Sequence, residues 1–198
     1  MDLDRLRAQL KFSMECDKMK SVYRRTILTD QSRRETDAEH SWHLAVLATL
    51  LYEYALPGVD RHRAVDMCLI HDLIEIYAGD TFAYDSAGNQ TKAKREAEAA
   101  DRLFALLPLD QGQAFRALWE EFDAMETPDA LFANACDRLQ PFLNNVVTGG
   151  HTWNAGPVQV HRSQVEERMR PISKGMPALW PIVQQLIEEA VQKGELAP

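Results

Sequence analysis

The chain has 198 residues, of which 22 are basic and 30 acidic, for a formal net charge of −8, and 45% are hydrophobic. That length and apolar share suit one domain of ordinary size with a sizeable core, and the acidic balance argues against a general nucleic-acid binder, which would carry a basic face. No stretch approaches the ~20 apolar residues of a membrane span.

The start, Met1-Asp2-Leu3-Asp4-Arg5, lacks the basic head and apolar run of a signal peptide. Cys16, Cys68 and Cys136 are odd in number and widely separated, so the expectation is reduced, mostly buried thiols in a cytoplasmic protein. Leu3, Leu6, Leu10 and Met14 fall at helical spacing and predict a helix over 3–20. The polar, Arg-rich stretch 21–35 reads as a long loop. Thr36-Asp37-Ala38-Glu39 fits a capping box, opening a helix that Leu56-Pro57-Gly58 stops.

The next helix, expected over 60–77, carries His71-Asp72-Leu73-Ile74-Glu75-Ile76-Tyr77-Ala78-Gly79-Asp80. One imidazole and three carboxylates lie close together in an apolar stretch, where ionisable groups are expensive to bury unless paired or metal-bound. On a continuous helix His71 and Glu75 are one turn apart, as are Asp72 and Glu75. Gly79 can end the helix, with Asp80 in the following turn.

A loop is expected over 81–90 with Gly88-Asn89 as its turn, then helices over 92–107, 111–125 and 128–147. Asp137 lies mid-helix in mostly apolar surroundings, and Pro141 four residues on is expected to kink the helix there. Gly149-Gly150 breaks the pattern, 151–157 reads as irregular, and two last helices are expected over 158–169 and 178–193. Trp153, Trp180 and the Ile182/Leu186/Ile187/Ala190 stripe are expected to pack on the core, with any exposed remainder serving a homodimer interface. No alternating strand pattern exceeds four residues. The fold class is therefore all-α, a single compact helical bundle over 1–198, with its core at about 18–147 and the C-terminal helices of 157–198 packed on it.

His40 lies in the first turn of the capped helix. His40, His71, Asp72 and Asp137 form a mixed imidazole/carboxylate set that suits Mn, Fe, Co, Ni or Zn better than Ca, with Mg also admissible. His43, His62, His151 and His161 read as hydrogen-bonded structural residues, although His43 shares a helix face with His40 and could support it.

The order His40, His71-Asp72, Asp137 resembles the H…HD…D signature of the HD-domain metal-dependent phosphohydrolases. Glu39-His40-Ser41, the His71-to-Asp80 run, and Leu118-Trp119-Glu120-Glu121-Phe122 through Asp137-Arg138-Leu139-Gln140-Pro141 resemble the branch that contains the 5′-deoxynucleotidases. The likeness covers roughly 18–147. It implies one divalent metal held by His40, His71, Asp72 and Asp137, water activation by Glu75, and nucleotide or leaving-group contact by Asp80. It also implies a phosphate grip by Arg24, which matches the family's basic stretch at Lys20-Ser21-Val22-Tyr23-Arg24. Arg25 stands where some members have an aromatic residue, a difference that bears on 2′-deoxy selectivity.

The implied reaction frees a nucleoside and inorganic phosphate from a small nucleotide substrate. Three alternatives stay open: an HD phosphohydrolase acting on another nucleotide or phosphate ester, an HD-like di-iron oxygenase, and a metal-binding helical protein with a non-hydrolytic role.

Overall fold

Apolar residues at helical spacing dominate the chain, and the structure, a computed structural model that describes residues 2–156 and 159–198, is built accordingly from ten α-helices and one small sheet among those residues. The all-α expectation holds. The first helix, α1 (Leu3–Cys16), is capped by the Asp2 carboxylate and passes into a 3₁₀ turn over Asp17–Ser21. It buries Phe12, but its Leu3, Leu10 and Met14 stripe faces outward.

The stretch read as a loop over 21–35 is instead a hairpin. Strand β1 (Tyr23–Ile27) pairs antiparallel with β2 (Arg34–Thr36), placing Tyr23 opposite Thr36 and Ile27 opposite Arg34. Gln31 turns the chain at φ 59°, and Asp30 accepts hydrogen bonds from the Ser32 amide and hydroxyl. Arg34 donates to the Tyr23 carbonyl at 2.8 Å across the pair. Strands this short and polar leave no period-2 signature, because three to five residues are too few to show an alternation and strand preference depends on the packing context.

Thr36 caps α2 (Asp37–Leu50) with both halves of the capping box in place. Helix α3 (Arg61–Ile70) is capped by Asp60 and stops at His71, short of the expected 77. Leu73 then bonds back to the Ile70 carbonyl and Glu75 to that of Asp72, both i→i+3 contacts, before a single turn of α4 (Glu75–Ala78). His71 and Glu75 therefore do not share one continuous helix. The physical cause is packing. Met67 and Cys68 belong to one core cluster, while Ile70, Leu73 and Ile74 belong to another, and the tightened turn lets the chain cross between them. Gly79 ends α4 at φ 73°, as its position suggested.

Helix α5 (Ser86–Phe104) begins earlier than expected because Asp85 accepts from the amides of Ala87 and Gly88, so Gly88 is helical rather than a turn. Helices α6 (Leu109–Ala124) and α7 (Pro128–Val147) follow, and α7 continues through Pro141. A short α8 (His151–Asn154) replaces the irregular segment. The helix expected to open at 158 is α9 (Arg162–Gly175); position 158 itself lies outside the described residues. Helix α10 (Trp180–Gln192) completes the chain.

The larger core draws Leu44 from α2, Met67 from α3, Phe132 from α7, Val165 and Ile172 from α9, and Ile187 from α10. The C-terminal helices thus complete this core. Trp153 and Ile187 are buried as expected, while Ile182 is exposed. Helix α9 lies so close to α7 that a Cβ on Gly175 would stand 2.2 Å from the Leu131 carbonyl oxygen. Cys68 and Cys136 are buried free thiols, and Cys16 is partly buried. No helix among the described residues is long and apolar enough to cross a membrane.

Candidate metal centre and adjoining clefts

The hairpin, α2, the α3–α4 junction and α7 converge on one buried cluster. Its first imidazole, His40, has no exposed surface. Its Nδ1 lies 2.8 Å from Gln140 Oε1 and its Nε2 lies 3.0 Å from Asp137 Oδ1. The second, His71, meets the Cys68 carbonyl oxygen through Nδ1 at 3.0 Å. Its Nε2 lies 3.0 Å from Asp72 Oδ1 and 3.7 Å from Asp137 Oδ1.

Both rings therefore have Nδ1 tied to a protein oxygen and Nε2 turned toward the aspartates. That is the arrangement by which outer partners orient histidine ligands. His40, His71 and Asp72 each offer a ligand atom within 4.8 Å of the others. Asp137 closes the group through its contacts to both imidazoles.

A divalent cation fits this set. His71 Nε2 is buried and makes no properly angled hydrogen bond, despite lying 3.0 Å from Asp72. An unsatisfied buried nitrogen facing carboxylates is costly by itself and is what a metal ligand needs. Protonation is the relief the protein itself can supply. Burial disfavours the charged ring, but Asp72 and Asp137 outweigh it and raise His71 to about 10. His40 is held below its ordinary value by burial and by Arg24.

A second carboxylate group adjoins the first: Asp37, Asp72 and Glu75 also bring oxygens within 4.8 Å of one another. Arg24, from β1, is the cation among them, 2.6 Å from Asp72 Oδ2, 3.3 Å from Asp37 Oδ1 and 3.9 Å from Asp80 Oδ1. Four acids around one guanidinium cannot all ionise cheaply. Burial, then the charge of Asp72, pushes Asp37 up to about 7. Burial together with Asp72 and Asp37 drives Glu75 well above the carboxylate range, and burial raises Asp80. Glu35 of β2, also buried, is pushed up to about 7 and accepts from Gln140 Nε2 at 2.7 Å.

Two clefts open from this cluster. One, of about 560 Å³, is lined by His71, Asp72, Glu75, Asp80, Asp137 and Arg138. The other, of about 580 Å³, runs past Arg25, Thr26, Phe82, Tyr84 and Trp153. Arg24, Asp80, Thr81, Arg138 and Arg168 line both. Arg25 stacks over the Phe82 ring at 4.8 Å.

The structure brings together all seven residues singled out in the sequence: His40, His71, Asp72, Asp137, Glu75, Asp80 and Arg24. It adds Asp37, Glu35, Arg138, Gln140 and Arg168. Asp37 and Gln140 were visible in principle, one helical turn from His40 and Asp137 respectively. Arg168 had a different signal, a charge between Val165 and Ile172 on the buried face of α9. His43 reaches the cluster indirectly, 3.3 Å from Gln140 Nε2.

Two imidazoles and several acids buried at a helix junction of an α-bundle define a metal-binding helical protein. The family is specific: the HD-domain model matches residues 16–180, and the chain belongs to the HD-domain family. That family implies a divalent metal.

A solved structure from Magnetospirillum magnetotacticum MS-1, described as a predicted metal-dependent phosphohydrolase, is similar at 50% identity and TM-score 0.93, with 98% of this chain and 96% of that one covered. A Pyrococcus furiosus protein at 19% identity and TM-score 0.58 shares the fold.

Among curated proteins, the human 5′-deoxynucleotidase HDDC2 is 28% identical over 138 residues, covering 69% of this chain and 66% of that protein. Its bovine counterpart is 30% identical over 109 residues, covering 55% and 52%. The matched stretch thus spans between about half and two thirds of these relatives.

Proposed function

We propose that the chain is a metal-dependent phosphomonoesterase that removes the 5′-phosphate from (deoxy)nucleoside monophosphates. The observation that carries this reading is the paired presentation of His40 Nε2 and His71 Nε2 to Asp72 and Asp137, at the foot of a cleft that continues along aromatic side chains. Relatives named 5′-deoxynucleotidase support the substrate class. In this reading the whole chain acts as one HD domain, without nucleic-acid or membrane partners, in the cytoplasm and as a homodimer.

His40, His71, Asp72 and Asp137 would hold one divalent transition metal: Mn, Co, Fe, Ni or Zn, or else Mg. Bound there, it supplies Lewis-acid stabilisation of phosphate charge and a lowered pKa for a coordinated water.

The chain's own residues do the rest. Glu75, buried beside Asp72 with Oε2 unpartnered, takes a proton from the water that attacks phosphorus. Asp80, which lines both clefts within 3.9 Å of Arg24, gives a proton to the departing 5′-oxygen as the P–O bond breaks. Arg24 lines both clefts and meets the phosphate while holding the acids together. The Phe82 and Tyr84 side chains offer the base an aromatic wall.

The test is a phosphate-release screen of all nucleoside monophosphates across a panel of divalent metals, with Asp72→Ala alongside. The reading requires release from 5′-monophosphates by the wild type. It also requires loss of both metal and activity in Asp72→Ala, with far-UV helicity kept. A tenfold preference for a triphosphate would move the protein to another phosphohydrolase class.

A further inference from the structure

Arg24 is already surrounded by acids: Asp72, Asp37 and Asp80 lie within 3.9 Å of its Nη1. The cleft holds a second cationic pair. Arg138 follows Asp137 on α7, with Nη1 on Asp137 Oδ2 and Nη2 3.3 Å from Asn134 Oδ1. Arg168 of α9 stands beside it, partly buried, and forms no ion pair or hydrogen bond among the described residues. Both line the two clefts where these meet.

Arg168 is at a position that packing would give to an apolar side chain. Val165, Met169 and Ile172 are buried on the same face of α9, and Arg168 lies three residues after the first and four before the last. The register of α9 is fixed by its contact with α7, where Gly175 has no room for a Cβ against Leu131. Arg168 therefore presents its side chain at the mouth of the clefts, partly buried beside Arg138. Burial, then the like charge of Arg138, lowers its pKa to about 10. A guanidinium with no ion pair of its own is repelled by such a neighbour. A planar five-donor head beside a second one matches the oxygens of a phosphate dianion.

We propose that Arg168, with Arg138, receives the phosphate of the substrate, so that α9 forms one wall of the binding site. This rests on the phosphomonoesterase reading and extends it: α7 and α9 add two guanidiniums to the cleft beyond Arg24, which also holds the acidic cluster. An unphosphorylated nucleoside gains nothing from the pair.

The test uses metal-loaded wild type, Arg168→Gln and Arg168→Lys. It measures inorganic phosphate binding by calorimetry, metal content, melting temperature, and KM and kcat for nucleoside monophosphates. Arg168→Gln should weaken phosphate binding and raise KM tenfold or more, with metal content kept. The melting temperature should be unchanged or higher, since the repulsion from Arg138 is removed, whereas a structural arginine would lower it. Arg168→Lys should restore part of the affinity, and unphosphorylated nucleoside should bind all three proteins alike.

Phosphate and substrate affinities within twofold of wild type in a folded, metal-loaded Arg168→Gln protein would overturn the proposal and leave the phosphomonoesterase reading standing. If the wild type binds phosphate, loses it in Arg168→Gln, and yet hydrolyses no monophosphate, the anion site stands and the substrate assignment fails. A wild type that neither binds phosphate nor releases it from any ester overturns both.

Discussion

Gln140 sits behind His40. Its Oε1 accepts from His40 Nδ1 at 2.8 Å, and its own amide donates to Glu35 at 2.7 Å. A neutral side chain with almost no exposed surface thereby fixes which imidazole nitrogen faces the aspartates. Its position one turn after Asp137 lets one stretch of α7 supply both a carboxylate and the support for a histidine.

Gln140→Leu should therefore disturb the metal centre without removing any ligand. Loss of an outer partner of this kind costs about 10- to 100-fold in metal affinity. Competition titration with a chelating dye would read it. Affinity equal to wild type would show that Asp137 alone orients His40.

Glu75 is buried with Oε2 unpartnered, among Asp72 and Asp37. If it takes the proton from water, Glu75→Gln keeps metal and substrate binding but cuts turnover by ~10²-fold or more. The melting temperature should hold, because the amide fills the same space and adds no charge to the crowded acids. Near-normal turnover in a folded, metal-loaded variant would shift the role to Asp80.

Gly175→Ala forces a methyl group toward the Leu131 carbonyl, 2.2 Å from the site of its Cβ. Helix α9 must move away from α7, at a cost of about 1–3 kcal/mol typical of overpacking. Thermal unfolding should show the loss. Substrate KM should rise with it if α9 carries Arg168 into the cleft, while metal content stays at the wild-type level.

Acid sensitivity away from the metal centre should follow Glu121. Burial works against its charge, but hydrogen bonds from Arg63 and Thr127 lower its pKa below the ordinary value of 4.5. The unfolded chain then binds more protons than the folded one in this range, so stability rises with pH there. The contribution is fully present above the ordinary value and is lost as pH falls through the lower folded value. The stability gap between wild type and Glu121→Gln should be constant near neutrality and shrink below about pH 4. A gap independent of pH would mean that the carboxylate's charge contributes nothing.

The sequence by itself determined the helical class, the capping box at Thr36, the stop at Gly79 and the seven residues that gather at the cluster. The class, the cap, the stop and the ligand types are local matters, written in runs of a few residues, whereas Arg24 was singled out only by its match to the family's basic stretch. It could not reveal the break after Ile70, since an apolar run reads as one helix whether it packs on one core or on two. Nor could it reveal the hairpin, whose strands are short, polar and defined by their partner.

The tertiary structure alone decided that Glu35 and Gln140 meet behind His40 and that Arg24 is ringed by acids. It also decided that α9, from a segment that looked like mere packing, brings Arg168 to Arg138. The reason is that each of these facts is a distance between residues far apart in the chain. Burial, charge and pKa are properties of what surrounds a side chain, and only folding brings those surroundings together.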